Sequence, residues 1–172
     1  LKLTSPGVPD TYQGDELEFR ALVDPDNRRP VDWQQRRDSL DLLLFGGPSG
    51  TGLGEFKMWM TTRLLGARAR RPELFAGSYE PLDAGPAACV FLRAGALLTA
   101  VALPRDGADP NPTVDGIPSG RWHGLLSGEE LVVDGSTPLS SLIDAETGVG
   151  VYERLLPADR VVSSKQAESA AR

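Results

Sequence analysis

The sequence predicts a helical first half, running to about Arg71, followed by an all-β second half folded as an antiparallel β-sandwich. Three observations predict it. Apolar residues recur at helical spacing between residues 55 and 70. Short apolar runs between Gly and Pro breaks fill the chain after Pro72, the pattern of regularly spaced strands and turns in a sandwich. Residues 46–54 (GGPSGTGLG) divide the first half with the poorest helix formers.

Residues 1–3 are apolar enough to close a strand, and Ser5 to Gly7 then turn the chain into a loop. Pro30 suits the first turn of a helix, where its missing N–H costs nothing. A helix is therefore expected over 31–44, with Trp33 and the cluster Leu40, Leu42, Leu43 and Leu44 on its buried side. A second is expected over 55–70, because Phe56, Trp59, Met60, Leu64 and Ala67 stand three and four apart and share one face. Arg68, Arg70 and Arg71 gather at its end, where the helix dipole favours cations, and Pro72 stops it. Strands are expected over 88–92 and 96–103, joined as a hairpin through Arg93-Ala94-Gly95, and over 121–126, 130–133 and 149–155. Residues 105–119, with three prolines, read as a loop, and 158–172, small and polar, as a frayed tail.

Across 172 residues, a hydrophobic content of 40% and a charged content of 24% are those of an ordinary globular protein. The net charge of −6 argues against a nucleic-acid partner. No apolar run approaches the length of a membrane span. The opening Leu1-Lys2-Leu3-Thr4-Ser5-Pro6 lacks an initiator Met and the pattern of a signal peptide, so the chain reads as an internal piece of a longer protein. A single cysteine, Cys89, excludes an intrachain disulfide and fits a cytoplasmic location. Its apolar neighbours Ala87, Ala88, Val90 and Phe91 make it a packed core thiol.

Several chemistries are poorly supplied. Gly47-Pro48-Ser49-Gly50-Thr51-Gly52 resembles a phosphate-binding loop, but Leu53 stands where the phosphate-pairing Lys is needed, so a connector between helices is the better reading. His123 is the only histidine and lies in a β segment with no nucleophile elbow in the chain, which makes it a surface or edge-strand residue. One His and one Cys cannot furnish a zinc site. No cofactor and no metal are expected.

The first forty residues differ in character. Asp10, Asp15, Glu16, Asp24 and Asp26 cluster with Tyr12, Gln13, Asn27, Arg28 and Arg29. Carboxylates, amides and guanidinium groups match the many donors and acceptors of a sugar, and an aromatic ring offers a face for a pyranose. The same composition also describes an acidic, Pro-broken surface loop capped by its own side chains.

The wording of this region decides between them. Gly7, Pro9, Tyr12, Gly14 and Glu16, followed by Asp24-Pro25-Asp26-Asn27-Arg28-Arg29-Pro30, resemble the end of the catalytic barrel in the α-amylase superfamily. Tyr12-Gln13-Gly14, the run Val23 to Trp33, and Arg71-Pro72-Glu73-Leu74-Phe75 with Gly77, Tyr79, Pro81 and Leu82 are similar to the maltooligosyl trehalose synthase family within it. Trp122 with Leu126-Ser127-Gly128 is similar to that family's terminal β domain. Residues 46–54 are unusually Gly-rich for it, and 105–119 match no motif.

The resemblance implies four parts. Residues 1–54 would be the C-terminal end of a (β/α)8 barrel, 55–71 a connecting helix, 72–157 the C-terminal antiparallel β domain, and 158–172 a disordered tail. It implies an enzyme that converts the reducing-end α-1,4 linkage of a maltooligosaccharide into an α,α-1,1 linkage by intramolecular transglucosylation. The catalytic carboxylates would lie upstream, so no residue here is assigned a catalytic role. Tyr12, Asp24 and Arg28 would bind substrate, with Asp10, Gln13 and Glu16 as further active-site wall. Partners would be the maltooligosaccharide and the upstream barrel. The alternatives are a non-catalytic carbohydrate-binding or scaffolding module, and another α-glucan hydrolase or transglycosylase.

Overall fold

The computed structural model describes residues 1–21, 28–46 and 52–156. Helices α1 (Trp33–Gly46), α2 (Leu53–Arg70) and α3 (Pro72–Ala76) come first. Strands β1 (Tyr79–Leu82), β2 (Ala88–Arg93), β3 (Leu97–Ala102), β4 (Thr113–Val114), β5 (Gly120–Gly124), β6 (Glu130–Val133), β7 (Thr137–Pro138) and β8 (Val149–Arg154) follow, with a 3-10 turn at Leu139–Ser141. Both expected helices and all five expected strands are present, with ends shifted by a few residues.

Six strands form one antiparallel sheet in the order β1-β2-β3-β8-β5-β6. The last strand in sequence thus sits in the middle, joining the β1–β3 meander to the β5–β6 hairpin. Side chains alternate across a strand, and the two faces of the sheet have different coverings. On one face Val90, Leu92, Leu98, Ala100 and Trp122 pack with Val114, Ile117, Leu139 and Leu142. On the other, Leu97, Leu125 and Val151 pack with Leu64 and Ala67 of α2, Leu74 and Phe75 of α3, and Leu3.

The expected sandwich is therefore lopsided. The layer opposite the helices is a two-stranded ribbon, β4 with β7, and the 3-10 turn. Pro110, Pro112, Pro118 and Pro138 lie in or beside the ribbon and cannot donate to a ladder, which keeps its strands two residues long. Part of the 105–119 segment, read as loop, is thus β4.

Five further expectations change. Residues 1–3 form a turn, with Thr4 and Ser5 N–H donating to the Leu1 carbonyl (3.0 and 2.9 Å), because no described strand lies beside them to form a ladder. Pro72 does not merely stop α2; it opens α3, where its fixed φ is suited to the first turn. In α1 only Arg36 and Leu43 are buried, while Trp33, Leu42, Leu44 and Phe45 are exposed. Adjacent residues on a helix point about 100° apart, so the run Leu42 to Phe45 cannot share a face. His123 lies in β5, an interior strand between β8 and β6, and is half-buried rather than at an edge. Cys89 is likewise half-buried on β2 rather than sealed in the core. The Gly-rich residues 47–51 and the tail from 157 lie outside the described residues.

Candidate functional site

Residues 1–20 run back along α2, fixed to it by cations that reach backbone carbonyls. Arg68, near the end of the helix, donates to the carbonyls of Leu3 (2.9 Å) and Gly7 (3.1 Å). Lys57, near its start, donates to the Leu17 carbonyl (3.3 Å) and lies 3.8 Å from Asp15. Eleven residues of helix separate these anchors, about 16 Å of axis at 1.5 Å per residue. The loop beginning is also fastened to the sheet. Arg93 of β2, almost fully buried, donates to the carbonyls of Thr4 (2.9 Å), Gly77 (3.1 Å) and Phe75. Burial, and then the neighbouring Arg68 charge, push the Arg93 pKa downward.

The segment between the anchors carries the residues singled out in sequence. Tyr12 opens a turn in which the Asp15 N–H donates to the Tyr12 carbonyl (3.1 Å). Gly14 has φ of +92° and is buried against Phe19 and Val31, a backbone conformation that a Cβ would strain. The Arg36 guanidinium, buried under α1, donates to the Gly14 carbonyl (2.9 Å) and the Asp32 carbonyl (3.1 Å). Its Nε lies 3.4 Å from Glu16 Oε2, an ion pair whose angle falls outside hydrogen-bond geometry. The turn is thus clamped by α1 on one side and α2 on the other.

Asp10, Tyr12 and Gln13 are exposed on this turn, Tyr12 at 46%. Glu16 instead points inward as the counter-ion of Arg36. Arg28 is exposed just before Pro30, and Asp24 lies outside the described residues. What the turn exposes is an aromatic ring at Tyr12, with a carboxylate two residues before it and an amide one residue after it in sequence.

A second concave site was not legible in the sequence. A cleft of about 490 Å³ is lined by the first half of α2, the turn between β5 and β6, the start of β6, residues 140–147 and β8. Phe56 and Trp59 line one side; Glu129, Ile143, Asp144 and Tyr152 line the other. Its residues come from segments almost a hundred positions apart, so no local pattern could reveal it. Burial, then the charges of Glu129 and Asp144, push the Tyr152 phenol pKa up. Asp144 itself is held below the usual carboxylate range, first by the Thr147 backbone N–H (2.9 Å) and then by the Thr147 hydroxyl (2.9 Å). Among the described residues no group of three or more His, Cys, Asp or Glu is placed to hold a metal ion.

No family model matches the chain. The fold also occurs in the crystal structure of an Anoxybacillus α-amylase, which superposes with a TM-score of 0.60 over 90% of this chain and 31% of that one at 24% identity, a likeness of fold alone. The particular resemblance is to maltooligosyl trehalose synthases, matched over a C-terminal stretch of those proteins. A curated Mycobacterium tuberculosis protein of that name is 40% identical over 83% of this chain. The structure of maltooligosyltrehalose synthase from Arthrobacter ramosus superposes with a TM-score of 0.73 at 30% identity over 90% of it. The chain spans only 18% of the first relative's length and 21% of the second's.

Proposed function

We propose that this chain is the C-terminal part of an enzyme that makes maltooligosyl trehalose, an isomerase acting by intramolecular transglucosylation. The observation that carries the reading is the 40% identity to a protein named for that activity, supported by the superposition on a second. An upstream (β/α)8 barrel would supply a carboxylate nucleophile and an acid/base carboxyl about 5 Å apart, the spacing that goes with retention through a glycosyl-enzyme. The released glucose must then turn and attack through its anomeric hydroxyl before water does. In this reading the clamped turn forms part of the active-site wall. Tyr12 offers a ring to one sugar, while Asp24 and Arg28 hold hydroxyls, with Asp10 and Gln13 alongside. Glu16 acts on the wall indirectly, by holding Arg36 and hence Gly14. The upstream barrel would also cover the exposed apolar side of α1.

The test is incubation with maltohexaose, following loss of reducing ends, for the 172-residue chain and for the protein with its upstream region restored. Conversion by the longer protein and none by the chain is expected. In the longer protein, Tyr12→Ala or Arg28→Ala should lower kcat/KM about tenfold or more, the scale of one lost charged hydrogen bond or stacking contact. Wild-type kinetics in both variants would remove these residues from the wall. Absence of conversion by the longer protein would overturn the trehalose reading.

A further inference from the structure

The cleft beside α2 is not used by the turn at Tyr12, and its own chemistry is specific. At about 490 Å³ it falls within the size range of small-ligand sites. Its charged lining residues are Glu129, Glu130 and Asp144, with no Lys, Arg or His among the described residues that line it. An anionic ligand is therefore disfavoured.

The remaining lining groups point to a neutral polyol. Phe56, Trp59 and Tyr152 are all partly exposed, so apolar ring surface is open at the cleft. Trp59 is braced: the Arg63 guanidinium sits 5.1 Å from its ring, and Arg63 Nε donates to the Leu125 carbonyl (3.1 Å). Beside these rings are hydrogen-bonding groups of both kinds. Glu130 is taken up by Arg121, and Asp144 Oδ1 by Glu146 and Thr147. The Tyr152 hydroxyl, the Trp59 indole N–H and the Glu129 carboxylate, by contrast, engage no partner among the described residues. An apolar ligand would strand these groups at a desolvation cost. A cation would use the carboxylate but neither donor. A pyranose uses all of them, laying its C–H face on an aromatic ring while its hydroxyls both donate and accept.

We propose that this cleft is a second, non-catalytic sugar-binding site that takes a glucose unit of an α-glucan, with Trp59 as the stacking face and Tyr152 and Glu129 as hydroxyl partners. The preference for a neutral sugar rests on the cleft; the choice of α-glucan rests on the proposed function. A site here would hold a long glucan to the protein while its end is elsewhere, raising the effective concentration of that end.

The experiment is calorimetric titration of the 172-residue chain with maltohexaose. Saturable binding is expected, weakened about tenfold by Glu129→Gln or Tyr152→Phe and at least as much by Trp59→Ala, the scale of a lost charged hydrogen bond or stacking face. Glu129 is exposed, so its variant keeps the fold, and thermal melting of all three checks this. No saturable heat with the wild-type chain, or binding that ignores both Glu129→Gln and Tyr152→Phe, overturns the proposal. The two readings fail separately. A longer protein that converts maltohexaose while the chain binds none sinks the cleft alone. A chain that binds through the cleft while the longer protein converts nothing sinks the trehalose reading alone.

Discussion

Arg93 and Thr99 are buried polar residues on neighbouring strands of one sheet, and their energetics run in opposite directions. The Arg93 guanidinium reaches the carbonyls of Thr4, Phe75, Gly77 and, at 3.4 Å, Ser78, so its burial is matched by acceptors on two separate stretches of backbone. Loss of it would leave those carbonyls unpaired, a cost of about 1–3 kcal/mol for each group stranded. Thr99, in the middle of β3, is 1% exposed and its Oγ1 has no partner. Valine has nearly the same shape, strong strand preference and no hydroxyl to desolvate. Thr99→Val should therefore stabilise the chain by about 1 kcal/mol, read as a rise of about 2–4 °C in melting temperature. A lower melting temperature would show that the hydroxyl has a partner in solution.

Among the elements, β8 decides whether the sheet holds together. It pairs with β3 on one side and β5 on the other, so the meander and the hairpin share no ladder without it. Its seat needs Gly150. A Cβ there would fall on the Leu142 carbonyl oxygen and lie 2.8 Å from Tyr152 Cε2. The obstacle is backbone as well as side chain, so Gly150→Ala should cost about 3 kcal/mol, the upper part of the overpacking range. Gly46→Ala, with nothing within 4 Å of the new methyl at the end of α1, should be neutral or slightly stabilising. Guanidinium unfolding of both variants checks the contrast; equal midpoints would contradict it. Little of this was legible in sequence. The hairpin at Arg93-Ala94-Gly95 was, because turn chemistry is local: Ala94 and Gly95 take φ of +50° and +61°, and the Ala96 N–H closes on the Arg93 carbonyl at 3.0 Å. The central place of β8 was not, because strand order depends on contacts between distant residues. For the same reason the cleft between Trp59 and Tyr152 could not be read from any local pattern.

For the molecule as a whole, the question is what covers α1. That helix buries Arg36 and Leu43, seven residues apart and so on one stripe, and leaves Leu42, Leu44 and Phe45 at 72%, 62% and 93% exposure. Single exposed apolar residues are ordinary, but three large ones within four positions are the mark of a surface made to be covered. The relatives it matches are about five times longer than the chain, and in the proposed function the cover is the barrel that precedes it. Each such side chain, once fully buried, contributes about 1.5–3 kcal/mol. The combined substitution Leu42→Gln, Leu44→Gln, Phe45→Ser should therefore act oppositely in two settings. The 172-residue chain should become more monomeric in sedimentation velocity with its own melting temperature little changed, since these residues contribute little to its core. The protein with its upstream region restored should lose several kcal/mol of stability, because the same residues are then interior. If the longer protein tolerates the three substitutions without loss, the barrel does not lie on α1, and the helix faces solvent or another partner.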